Sequence, residues 1–268
     1  MQKSRFDLTG PAVTDQLTYE QPLNERIRTF LRLESLFNQF AFHVEHGTAW
    51  DNPIAINAIS DILAFTTRSD IKLEALKELE RQHSRLERLS KRPQIDQGQL
   101  VALLDKQTSL IDRLRSNTGQ LGQEIQNADL LNSVRQKSSV PGPICDFDLP
   151  AFHFWLTRPE SIRREHLQQW FAPFEVLREA VSIILDVLRN SANDTEETAL
   201  KGFFQKVIDS NQAVQLLHIT IPTTLSCYPE ISAGKHRFSV RFMVNPNPYI
   251  RPEQFTEDVA FRLRICSV

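Results

Sequence analysis

Over the first half of the chain, apolar residues recur at intervals of three and four, the rhythm of helices that bury one face. Pro22 suits a first helical turn. Beyond it Ile27, Phe30, Leu31, Phe37, Phe40 and Ala41 form an apolar stripe, with Arg28, Arg32, Ser35 and Gln39 on a polar one. Asp51-Asn52-Pro53 predicts the start of a second helix through Ile56, Ile59, Ile62, Leu63 and Phe65. A third begins at Ser69-Asp70 and carries Leu76, Leu79, His83 and Leu86. A fourth carries Leu100, Leu103, Leu104, Leu110, Ile111 and Leu114. Pro93 and Gly98 bracket the turn between them, so the pair reads as an antiparallel hairpin packed like a coiled coil, with His83 as a packed residue of its seam. A shorter helix then buries Leu130, Leu131 and Val134. It places Arg135 and Lys137 near its C-terminal end, where cations complement the helix dipole.

The rhythm changes after Ser138-Ser139-Val140-Pro141-Gly142-Pro143, a stretch that cannot continue a helix and marks a domain boundary. Residues 146–156 alternate: Phe152, Phe154 and Leu156 on one face, Ala151, His153 and Trp155 on the other. Pro150 restricts this segment to an edge or an irregular entry into a sheet. Helical spacing returns from Pro159 to about 190, broken near Pro173, and the second part is apolar on two sides. Ser191 to Leu200 reads as a polar loop. Strands are predicted near Phe203-Phe204, Gln215 to Pro222, Arg237 to Val244 and Asp258 to Ile265, with Tyr228 to Gly234 as a connection. The fold class is therefore α+β. Residues 1–19 form an arm in which Leu17-Thr18-Tyr19 pairs as a short edge strand. A helical domain covers 20–140, and a mostly antiparallel β domain with a packed helical segment covers 141–268.

Two of the predicted strands are charged on one side. Side chains alternate along a strand, so Lys235, Arg237, Ser239 and Arg241 share one face while His236, Phe238, Val240 and Phe242 share the other. In the last strand Val259, Phe261, Leu263 and Ile265 point one way, Arg262 and Arg264 the other. Placed in one sheet over a common core, these strands present four arginines and a lysine to solvent. One exposed arginine contributes little, but several on a rigid sheet engage carboxylates with little ordering cost. The competing structural reading is that Asp or Glu side chains of the chain itself neutralise them. His153 and Trp155 would add a greasy edge suited to a peptide. The same combination suits stacked bases, so single-stranded nucleic acid is the rival partner.

Composition narrows this further. The formal charge is −2 over 268 residues, so attraction to nucleic acid or anionic lipid must be local, and neither is expected as a partner. Met1 to Asp7 lacks the apolar run of a signal peptide, and no 18-residue apolar stretch occurs, which predicts a cytoplasmic protein without membrane association. Cys145, Cys227 and Cys266 fit free thiols. No glycine-rich phosphate loop or nucleophile elbow is present. His43-x-x-His46 lacks a third ligand, and Asp146 with Asp148 beside a proline reads as a turn or cap. Neither catalysis nor a cofactor is expected.

Several blocks resemble one family. Glu20-Gln21-Pro22-Leu23-Asn24-Glu25-Arg26-Ile27-Arg28-Thr29-Phe30-Leu31-Arg32 is similar to the opening of the ZapD family of bacterial cell-division proteins. So are Leu76 to Gln82, Asp146-Phe147-Asp148-Leu149-Pro150 with His153 and Trp155, Tyr228 to Ser232, and Lys235 to Met243, in colinear order over about residues 15–268. The resemblance implies a homodimer, each chain a helical and a β-strand domain. It implies that the dimer binds the acidic and apolar C-terminal tail of the tubulin-like GTPase FtsZ in a basic groove between domains, and bundles FtsZ protofilaments at the mid-cell ring. Arg32, His153, Arg237 and Arg241 match basic positions implicated in that binding or bundling. Lys235 and Arg135 join them on local geometry and charge. One departure is Asp129, where a relative carries a contributing arginine.

Overall fold

The computed structural model describes residues 15–268 except 69, 90–95, 139, 210–212 and 235, and no side chain of 68 or 89. Packing divides the chain into two units, one made of residues up to Arg28 with Leu185–Val268, the other of Thr29–Ile184. The stretch at 138–143 lies inside the second unit. There it joins two helices instead of linking the units.

The helical unit contains most of α1 (Glu25–His46), then α2 (Asp51–Arg68), α3 (Ile71–Leu89), α4 (Gln97–Ser116), α5 (Asp129–Lys137), α6 (Pro150–Leu156), α7 (Glu160–Phe171) and most of α8 (Glu175–Arg189). Its core is built largely from the predicted stripes: Phe30, Phe37, Ile56, Ile59, Ile62, Leu79 and Leu114 are buried, and Leu33, outside the predicted stripe, is buried with them while Leu31 is only half-buried. Phe171 of α7 stacks on Phe40, centroids 4.2 Å apart, and meets Phe37 edge-on at 5.9 Å. The α3–α4 pair is the expected hairpin, and Arg115 of α4 reaches Glu80 of α3 at 2.6 Å. The start of α2 differs in detail from the cap expected at Asp51. Thr48 and Asp51 form a reciprocal capping pair, the Thr48 N–H donating to Asp51 Oδ2 at 3.1 Å and the Asp51 N–H to Thr48 Oγ1 at 3.3 Å. Pro173 falls in a single 3-10 turn (Ala172–Phe174) between α7 and α8, where a missing N–H is tolerated.

The segment expected to enter the sheet, residues 146–156, is instead a turn followed by α6. Pro150 stands at the first helical position, where its fixed φ favours a helix. Over seven residues the period-two and period-three patterns overlap. Burial of Phe152 and Trp155, three apart, settles the period as helical.

The other unit is a β-sandwich. One antiparallel sheet has the strand order β1 (Gln16–Pro22), β4 (Val214–Pro222), β8 (Val259–Ser267), β2 (Thr195–Ala199). The second has the order β3 (Phe203–Val207), β6 (Arg237–Val244), β5 (Tyr228–Ala233), with β7 (Glu253–Gln254) pairing the end of β6. Their inner faces share a core in which Leu217, Ile219, Ile221, Phe261 and Leu263 of the first sheet meet Phe238, Val240 and Phe242 of the second. Three of the described strands went unpredicted, among them the two-residue β7. β2 is an edge strand rich in Glu and Thr, a composition that protects an edge but hides its period. β5 contains Pro229, which an edge strand accommodates.

β2 and β3 belong to different sheets, so the chain must cross the sandwich within Leu200–Lys201–Gly202. Lys201 and Gly202 both take positive φ, 48° and 72°. Gly202 also lies so close to the neighbouring chain that an added Cβ would sit 2.1 Å from the Phe255 carbonyl oxygen. Only glycine fits that corner.

Candidate functional site

The basic strands do not form one surface. β6 belongs to the second sheet and β8 to the first, so Arg237 and Arg241 lie on the outer face of one sheet and Arg262 and Arg264 on the opposite outer face of the sandwich. The expected ladder of four arginines and a lysine is therefore split. For its β8 half, the competing structural reading holds.

Arg264 donates to both carboxylate oxygens of Asp194, each at 3.0 Å, and to the Arg189 carbonyl oxygen at 2.8 Å. It thus closes the C-terminal end of α8, whose unpaired carbonyls attract a cation. Arg189 in turn forks onto Glu20 of β1 at 2.8 and 2.9 Å. Arg262 donates to Gln16 and lies 3.9 Å from Asp194. Hydrogen bonding from Arg264 holds the Asp194 carboxyl below the usual carboxylate range, aided by the charges of Arg264 and Arg262. The same bonds push the Arg264 guanidinium up. These groups fasten Arg189 and the segment that follows it, all within the same unit, to the sheet.

The β6 half differs. Phe238, Val240 and Phe242 are buried, and Arg237 and Arg241 are exposed on the outward face with half-buried Ser239 between them. Among the described residues no carboxylate lies within ion-pair distance of either guanidinium. Strand register supplies the neighbours on this face: Val207, Gln205 and Phe203 of β3 stand opposite Arg237, Ser239 and Arg241. On the other side Glu230 and Ser232 of β5 oppose Arg241 and Ser239. Lys235 lies outside the described residues.

In the helical unit Arg32 on α1 and Arg135 in the last turn of α5 are exposed, again without a described carboxylate partner. Lys137, two residues beyond Arg135, is engaged: its Nζ donates to Asp148 Oδ1 at 3.1 Å. That bond, with the Cys145 N–H, holds the Asp148 carboxyl below its ordinary range. Asp148 thus closes the turn before α6, as its sequence context suggested. Asp129 stands exposed in the first turn of α5, where a carboxylate complements the helix dipole.

His153 is exposed on α6, but Trp155 is not beside it. In a helix two residues apart point to nearly opposite sides, and Trp155 is buried, its Nε1–H donating to His166 Nδ1 at 3.0 Å while its ring stacks on Phe152. The aromatic next to His153 that meets solvent is Phe154, 64% exposed, with the Arg158 guanidinium 5.8 Å above its ring. Sequence reasoning missed Phe154 by taking the segment as a strand. It missed Phe203 and Val207 because β3 is too short to show which of its faces is buried.

The two imidazoles of His43-x-x-His46 are spent locally. His43 Nδ1 is 2.6 Å from Asp51 Oδ1, and His46 Nδ1 is 2.8 Å from the Phe42 carbonyl oxygen. Among the described residues no group of three or more His, Cys, Asp or Glu side chains is placed to hold a metal ion, and no helix is long and apolar enough to cross a membrane.

Known proteins place the chain. The ZapD family model, described as a cell division protein, matches residues 31–241. Cell division protein ZapD of Methylococcus capsulatus is 40% identical over 252 residues, covering 94% of this chain and 98% of that protein. ZapD of Nitrosomonas europaea is 37% identical over 94% of this chain and 95% of its own length. ZapD of Nitrosomonas eutropha is 38% identical over 94% of this chain and all of its own. With most of the chain inside the family match and relatives of this identity along nearly its full length, the chain belongs to the ZapD family of cell division proteins.

Proposed function

We propose that this cell division protein captures the C-terminal tail of FtsZ on its basic surfaces and, as a homodimer, cross-links FtsZ protofilaments at the mid-cell ring. Arg237 and Arg241 are the principal contacts. Arg32, His153 and Arg135 contribute further positive or titratable groups, and Lys235 adjoins the β6 pair in sequence. The protein acts by binding, without catalysis or cofactor.

One observation carries this reading: two arginines on the central strand of a sheet, held by a buried inner face, exposed and lacking a carboxylate partner among the described residues. A structural arginine satisfies its donors at home, as Arg264 does. An arginine kept free on a rigid strand is preorganised for an incoming carboxylate. A dimer presents two such surfaces, and two weak sites in one body gain from effective concentration when the partner is a polymer with many tails.

The test is Arg237→Glu with Arg241→Glu. The variant is expected to lose FtsZ pelleting in bundling assays while its thermal unfolding stays close to wild type. Calorimetry of the wild type against a tail peptide should show weaker binding as salt rises, because the screening length at physiological ionic strength is only about 8 Å. A variant that unfolds would assign these arginines to structure. Wild-type protein that shifts an oligonucleotide and ignores the peptide would favour the nucleic-acid reading.

A further inference from the structure

Resting on the tail-capture reading, we propose that Phe203 and Val207 of β3 are the apolar half of the same surface. The sheet then reads a peptide that carries aliphatic or aromatic side chains beside its carboxylates. Residues directly opposite on antiparallel strands share a face with Cβ atoms about 5 Å apart. Val207 is opposite Arg237 and Phe203 is opposite Arg241, so each free cation has one apolar neighbour at its side. The two cation–apolar pairs are four residues apart, a span of roughly 13 Å along the strand, with Gln205 and Ser239 between them.

Val207 is left mostly in solvent and Phe203 keeps part of its ring there. Val207 is 74% exposed and Phe203 38%, while their neighbour Phe204 points inward against Phe238 and Phe261. An exposed valine and phenylalanine on an edge strand are a liability that charged or polar residues usually replace. Their charge setting selects among occupants. A second copy of this face would bring arginines toward arginines. A purely acidic ligand would leave the apolar pair in water. A segment with both kinds of side chain satisfies both, its apolar contact adding to the ion pairs beside it.

The experiment titrates a synthetic FtsZ tail peptide into the wild type, Phe203→Ser with Val207→Ser, Val207→Thr and Arg241→Gln. Threonine keeps the β-branched shape of valine and so preserves the strand. The double serine variant is expected to bind roughly tenfold more weakly with an unchanged salt dependence. Val207→Thr should show a smaller loss of the same kind, and Arg241→Gln should weaken binding and flatten the salt dependence. A peptide with its apolar side chains replaced by serine should bind the wild type and the double variant equally. Wild-type affinity in both the double variant and Val207→Thr overturns this assignment and leaves tail capture standing. A wild type that ignores the peptide overturns both.

Discussion

At the scale of single residues, the difference between a structural and a functional arginine lies in what surrounds the guanidinium. Arg264 and Arg241 both alternate with apolar neighbours in strands of similar composition, and sequence alone could not separate them. Arg264 meets Asp194, 70 positions away, and the end of α8; Arg241 meets neither. Asp194 gives that distinction a pH signature. Its carboxyl is depressed in the folded protein, so the stabilisation it lends is present above the unfolded value of about 3.9 and is lost as pH falls through the folded value. Asp194→Asn should lower stability at neutral pH by about 1–3 kcal/mol and make the fall in melting temperature below about pH 4 shallower. Thermal melts from pH 2 to 7 check this; parallel acid limbs for wild type and variant would refute it. The exposed cations Arg32, Arg135, Arg237 and Arg241 were legible from their strand or helix faces. Trp155 was misread because its neighbour in sequence is not its neighbour in space.

At the scale of elements, hydrophobic periodicity predicted α1 to α5, α7, α8 and the strands β4, β6 and β8, because each is long or strongly patterned, and it placed β3 from Phe203-Phe204 without telling its faces apart. It failed where an element is short, as in α6, or sits at a sheet edge, as in β2 and β5, where one side of the backbone is unpaired and composition is loosely constrained. It also could not say that β6 and β8 lie in different sheets, since both carry the same alternation. That division is made at the corner of Gly202, which delivers the chain from β2 to β3. Gly202→Ala places a methyl against the Phe255 carbonyl in a conformation costly for any L side chain, and should destabilise the protein by about 2 kcal/mol or more. Gly234→Ala, whose Cβ would approach the described residues no closer than 3.8 Å, at the Arg237 carbonyl oxygen, should be nearly neutral. Denaturant unfolding of the two variants compares them directly. Equal midpoints would show that the corner tolerates a side chain.

At the scale of the whole molecule, a net charge of −2 gives no broad pull on an anion, so any attraction exerted by exposed cations is local. Within the proposed function this suits a cross-linker, which must find its partner by contact and not by broad pull. The strand opposite Arg241 adds a restraint of its own. Glu230 stands across from that arginine in register without bonding to it, a resident anion beside the seat meant for a visiting one. Within the proposed function, an incoming carboxylate contends with this occupant, which weakens its capture. Under the proposed function, Glu230→Gln should therefore tighten binding of the tail peptide and slow its release, which calorimetry and dissociation kinetics of the variant against the wild type check; unchanged affinity would mean that the neighbouring anion imposes no such brake.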